Sequence, residues 1–119
     1  DGLAIMNFAL TDVAELVKDT ISYEGDIDLF VFHQANKMIV NSVAAALKLP
    51  LDKVPIFVDG YGNTSSASIP LALCGTANDK PEGMTKYKKV LLAGFGVGLS
   101  CGTVVTELKH TIFLPIKEV

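Results

Sequence analysis

Residues 28–40 read DLFVFHQANKMIV. Four consecutive apolar residues, Leu29, Phe30, Val31 and Phe32, are followed at once by His33 and the polar run Gln34, Ala35, Asn36. A strand without apolar/polar alternation is one buried on both faces, as in a parallel sheet covered by helices on each side. Met38, Ile39, Val43, Ala46 and Leu47 then recur at helical spacing. The stretch therefore predicts a strand running directly into a helix that begins near Gln34, with His33 at the join. In open α/β sheets that junction, at the carboxyl end of a strand, is where ligands bind.

Two further polar clusters follow apolar runs. Gly60-Tyr61-Gly62-Asn63-Thr64-Ser65-Ser66 comes after Ile56, Phe57 and Val58, and Gly94-Phe95-Gly96-Val97-Gly98-Leu99-Ser100 comes after residues 89–93. The expected arrangement is three strands, each ending in a polar or glycine-rich loop, with the loops converging on one site. Upstream, residues 7–22 carry Phe8, Val13, Leu16, Val17 and Ile21 near helical spacing, and Gly25 suits a cap. Asp1 and Gly2 show no helix or strand start, and the chain reads as cut from a longer one. Leu49-Pro50 ends the helix of residues 35–47. Residues 51–53 form a turn, and residues 67–77 form a helix that tolerates Pro70 in its first turn. Residues 78–86 are expected as an exposed loop, and residues 103–108 as a return strand after a bend at Gly102. Residues 112–115 are left between an edge strand and disorder. The fold class is α/β, with a mostly parallel sheet, an antiparallel final strand pair and helices packed on it.

The chain has 119 residues, enough for one domain with a core, and half of them are apolar. Mean hydropathy is +0.41. Two causes fit: a sheet buried on both faces, or surface that another body normally covers. No uninterrupted apolar window reaches membrane length, so no membrane span is expected, and no leader peptide is visible. The net charge of −3 gives no basic footprint for nucleic acid. Cys74 and Cys101 match no metal spacing and read as packed thiols of a reducing cytoplasm. No metal site is expected.

His33 and Asn63 are the candidate chemical groups. A lone histidine at a strand end is usually structural, but the polar run after His33 is not a core pattern, and a helix start disfavours imidazolium. A neutral imidazole donates at one nitrogen and accepts at the other. Asn63 in Gly-Asn-Thr-Ser is on one reading a turn residue. On the other, its amide is a donor that does not titrate. The two together would give uncharged donors aimed at one oxygen, an oxyanion site. The glycine loop of residues 94–98 fails the dinucleotide fingerprint, because position 99 is leucine and a strand, not a helix, should follow. It suits close approach of backbone N–H groups to a ligand. No nucleophile is evident: Cys74 sits in a helical stripe, Cys101 adjoins the bend, Ser65, Ser66 and Ser100 lack a base, and His110 is expected in solvent.

His33-Gln34-Ala35-Asn36, residues 62–70 (GNTSSASIP) and residues 94–100 (GFGVGLS) resemble the C-terminal half of the β-ketoacyl-acyl-carrier-protein synthase III family. The resemblance covers residues 1–108 and implies the C-terminal half of a thiolase-like fold, with residues 1–119 as the C-terminal domain of such an enzyme. It implies a Cys-His-Asn triad in which His33 and Asn63 are the histidine and asparagine. The nucleophilic cysteine would belong to an N-terminal half absent from this chain, so the fragment alone would be inactive. It further implies that the backbone N–H of Val97 serves an oxyanion hole, that Phe95 packs beside the reactive cysteine, and that Asn36 lies near the pantetheine arm. Implied substrates are coenzyme A and acyl-carrier-protein thioesters, with no tightly bound cofactor. Implied partners are acyl-carrier protein, acyl-CoA and the missing half, in a cytoplasmic homodimer. Two positions depart from the common pattern: Met38 where many members have arginine, with Lys37 beside it, and Cys101 where many have tryptophan. A related acyltransferase of polyketide or secondary metabolism, and a non-catalytic thiolase-like binding module, remain open alternatives.

Overall fold

The computed structural model describes residues 2–79, 83–96 and 98–117. Phe8, Val13, Val17, Leu29, Phe30, Val31, Phe32, Ile39 and Val43 are buried, whereas Met38 of the predicted helical stripe is 65% exposed. Strand β1 (Leu29–Phe32) pairs in parallel with β2 (Val90–Gly96), in the register Leu29 to Val90 through Phe32 to Ala93. Strand β3 (Ser100–Thr106) runs antiparallel to β2, giving the order β1-β2-β3.

Every residue of β1 is buried, as its unbroken apolar run requires. Phe30 and Phe32 join a core with Phe8, Val13, Val17, Ile39, Val40 and Val43 on one face. Leu29 and Val31 join Ala72, Met84 and Tyr87 on the other. The first face is covered by α1 (Gly2–Phe8), a π-helical turn (Ala9–Val13), α2 (Ala14–Glu24) and α3 (Lys37–Ala46). The second is covered by α5 (Ser68–Asn78). The short α4 (Val58–Tyr61) precedes α5.

Several expectations are corrected. The amino-terminal segment is already helical at Gly2 and passes through a π turn, so helix replaces the unstructured opening predicted for Asp1-Gly2; Asp1 itself lies outside the described residues. Residues 56–58 are not a strand. The backbone N–H of Phe57 donates to Gln34 Oε1 at 2.9 Å, a side-chain bond in place of a ladder bond, and α4 begins at Val58. The sheet consequently holds one parallel and one antiparallel pair. Helix α3 starts at Lys37, later than expected, because Asn36 caps it: its Oδ1 accepts the N–H of Ile39 at 2.8 Å. The bend at Gly102 is absent, since Gly102 pairs with Gly94 inside the hairpin. In the loop expected to be exposed, Met84 is buried against β1, as is Tyr87 just beyond it, while residues 80–82 lie outside the described residues. Residues 112–115 form no strand, and Phe113 packs on the second core. Gly25 does cap α2 at φ +84°, with its N–H on the carbonyl of Ile21.

Candidate functional site

The first residue beyond β1 is His33, and it is fixed by extending the sheet ladder: its N–H donates to the carbonyl of Ala93 at 2.8 Å. Its ring stands edge-on to Phe95, with centroids 5.3 Å apart and planes at 78°. Nδ1 lies 2.8 Å from Ser68 Oγ at the start of α5. Burial pushes the imidazole below its ordinary pKa of about 6.5, because the charged ring would lose solvent. Burial thus favours the neutral form of the ring. The direction matches the sequence reading, and the cause is burial, not the start of α3.

Asn63 follows α4, whose end is capped by Gly62 at φ +69°. Its Oδ1 accepts the N–H of Ser65 at 2.9 Å. Of the two ends of a carboxamide only the oxygen accepts from an N–H, so this bond fixes which end is which. The turn reading of Asn63 and the donor reading are thus compatible. The turn consumes the acceptor, and the NH₂ remains.

His33 and Asn63 line one cleft of about 710 Å³ together with Ile5, Ala35, Ser65, Ser66, Ser68, Ile69, Gly94, Phe95 and Gly96. All three predicted clusters contribute to the cleft, but Gly94 and Gly96 do so from within β2 and Asn63 follows a helix in place of a strand. Gly94 and Gly96 contribute no side chains to the cleft wall, and both lie in the β2–β3 ladder. Asn36 is exposed and not among the lining residues; its carboxamide oxygen serves the α3 cap. Val97 lies outside the described residues. The glycine loop leads into an antiparallel strand and no helix, which removes the dinucleotide reading. Cys74 and Cys101 are free thiols, and His110 is exposed. Among the described residues no cluster of histidine, cysteine or carboxylates has the makings of a metal site, and no helix is long and apolar enough to cross a membrane.

Sequence reading missed the framework beneath this pair. Gln34 is 2% exposed. Its Nε2 donates to the carbonyl of Phe32 at 2.8 Å, its Oε1 accepts from Phe57, and its backbone N–H donates to Ser68 Oγ at 3.1 Å. One residue thereby ties β1 and the segment before α4 together through its side chain, and the head of α5 through its backbone N–H. A glutamine wedged after a fully apolar strand was the available signal, since a buried amide must find partners.

A mixed sheet between helix layers, with a neutral histidine and an oriented asparagine on a cleft at its strand ends, defines the carboxyl-terminal half of a thiolase-like fold. The family model for 3-oxoacyl-[acyl-carrier-protein (ACP)] synthase III C terminal matches residues 20–108, and the chain belongs to that family. The chain is similar to the beta-ketoacyl-[acyl-carrier-protein] synthase III of Streptococcus gordonii, at 42% identity over 112 residues, covering 91% of this chain and 35% of that protein. Among solved structures, the 3-oxoacyl-(acyl carrier protein) synthase III of Pseudomonas aeruginosa superposes with a TM-score of 0.78 at 34% identity, covering 90% of this chain and 34% of that one. The beta-ketoacyl-[acyl carrier protein] synthase III of Thermus thermophilus gives a TM-score of 0.77 at 39% identity, covering 88% of this chain and 33% of that one. The chain spans about a third of the length of the curated relatives it matches.

Proposed function

We propose that residues 1–119 act as the C-terminal domain of a 3-oxoacyl-acyl-carrier-protein synthase III, an acyltransferase of fatty acid biosynthesis. The reaction begins when a cysteine thiolate, supplied by an N-terminal half, attacks an acyl-CoA thioester and expels coenzyme A as its thiolate. Malonyl-acyl-carrier protein then loses carbon dioxide, and the electron pair of the broken bond passes into an enolate. The enolate carbon attacks the acyl-cysteine, the cysteine thiolate departs, and a 3-oxoacyl thioester results. His33 and Asn63 are the donors to the malonyl thioester oxygen as it gains negative charge. Neutral donors suit this step, since neither releases a proton to the enolate carbon at the working pH. Preorganised donors of this kind are worth on the order of 10²–10³ in rate each. Phe95 holds the imidazole edge, the N–H of Val97 serves the acyl-cysteine carbonyl, and Asn36 meets the pantetheine arm.

The observation that supports this reading is that His33 and Asn63 share one cleft, each secured on one side by an internal hydrogen bond. Acyl-carrier protein and acyl-CoA are the proposed partners, in a cytoplasmic homodimer that needs no tightly bound cofactor. The test uses the natural protein that contains residues 1–119. Asn63→Ala and His33→Ala should each accept the acyl group yet decarboxylate malonyl thioester on the order of 10²–10³ more slowly. Decarboxylation at the wild-type rate in both variants would overturn the assignment.

A further inference from the structure

We propose that Ser68 is a positioning residue: its hydroxyl donates to His33 Nδ1 and thereby holds the proton of the neutral ring on Nε2. The argument is one of counting hydrogens. Ser68 is 1% exposed, so water does not complete its bonding. Its Oγ receives the N–H of Gln34 at 3.1 Å, and that N–H can only donate. The second partner of the hydroxyl is His33 Nδ1 at 2.8 Å.

A serine hydroxyl has a single hydrogen. If Nδ1 carried the ring proton, Oγ would accept twice, and the serine hydrogen would be buried with nowhere to go. With Nδ1 bare, every group is satisfied: Gln34 donates to Ser68, Ser68 donates to His33, and Nε2 keeps an N–H. Imidazolium meets the same obstacle as the wrong tautomer, because it too places a hydrogen on Nδ1. Ser68 itself is held by its place at the head of α5 and by Gln34, whose side chain is anchored at Phe32 and Phe57. The chain of donors therefore starts in the sheet and ends at the imidazole.

This inference deepens the proposed function and rests on His33 being a donor to substrate oxygen. Its own readout does not depend on activity. Nitrogen-15 NMR of the imidazole, in the natural protein that contains residues 1–119, distinguishes the Nε2–H ring from the Nδ1–H ring. The wild type should show Nε2–H alone. Ser68→Ala should show a mixture of tautomers, and Ser68→Thr, which keeps the hydroxyl, should restore the single form. With malonyl-CoA as probe, Ser68→Ala should lower kcat for decarboxylation by about 10- to 10²-fold, less than loss of a donor itself, with KM little changed. Should Ser68→Ala fail to fold, Ser68→Cys replaces it, since a thiol is a weak donor of similar size. An Nδ1–H ring in the wild type, or a ring in the alanine or cysteine variant that stays entirely Nε2–H, would overturn the proposal. Unchanged decarboxylation in His33→Ala, together with a wild-type ring that is Nε2–H, would instead sink the proposed function and leave the tautomer assignment standing.

Discussion

Asn63 Oδ1 sits 2.9 Å from the backbone nitrogen of Ser65 and accepts its N–H. Ser65 has φ +56°, a conformation that serine seldom adopts and that turns its N–H back toward the asparagine. The carboxamide oxygen is thereby held before any ligand arrives, on a residue that lines the cleft.

Asn63→Asp separates orientation from donation. The carboxylate can still accept from Ser65, so the turn and the melting temperature should be nearly unchanged. The other oxygen would place negative charge where the enolate oxygen develops. Malonyl decarboxylation in the natural protein should fall by at least about 10²-fold, while acyl transfer from acyl-CoA is far less affected. A carboxylate variant that decarboxylates normally would show that the NH₂ is not needed.

Helix α5 packs closely on the ring of Phe57 because residue 75 has no side chain. A Cβ there would stand 2.6 Å from Phe57 Cε1, inside any tolerable contact. Gly75→Ala should destabilise the fold by about 1–3 kcal/mol through overpacking. The denaturant midpoint reads this directly. Phe57→Leu in the Gly75→Ala background should recover part of the loss, because the clash is with the aromatic ring.

Asp28 leads into β1 and accepts the N–H groups of Lys88 and Lys89 at 2.8 and 2.9 Å, clamping the entries of β1 and β2 together. The backbone bond from Lys89 is the main cause that holds its carboxyl below the ordinary carboxylate value. A depressed folded-state pKa means that the unfolded chain takes up the proton first as pH falls. The stabilisation is complete above the unfolded value of about 3.9 and is lost as pH drops through the folded one. Asp28→Asn should therefore be less stable than wild type at neutral pH, with the gap closing below about pH 4. A gap that stays constant across an acid titration of the midpoint would rule out the linkage.

Strand β1 was legible because burial on both faces leaves a sequence mark, an unbroken apolar run, and His33 was legible as the first residue past it. Asn63 stood out through the glycines around it. Residues 56–58 carry the same apolar, β-branched mark as a strand, yet Phe57 bonds to the side chain of Gln34, a contact 23 positions away that local pattern cannot encode. Met84 looked like a loop residue because Pro81 and Gly83 precede it, and tertiary packing under β1 overrode that context. Ser68 was hidden for a different reason. A serine near a helix start is ordinary, and only the imidazole and the Gln34 amide beside it give it meaning.

Strand β3 is bonded on one side only among the described residues, and Val104 on it is 58% exposed. Between Cys101 and Thr106 the outward amide and carbonyl groups of alternate residues therefore lie beside an apolar side chain, with no strand paired to them among the described residues. Such a margin is a template on which any extended peptide can add a strand. In concentrated solution this rim would govern colloidal behaviour, and a lysine at position 104 would be the smallest change that blunts it.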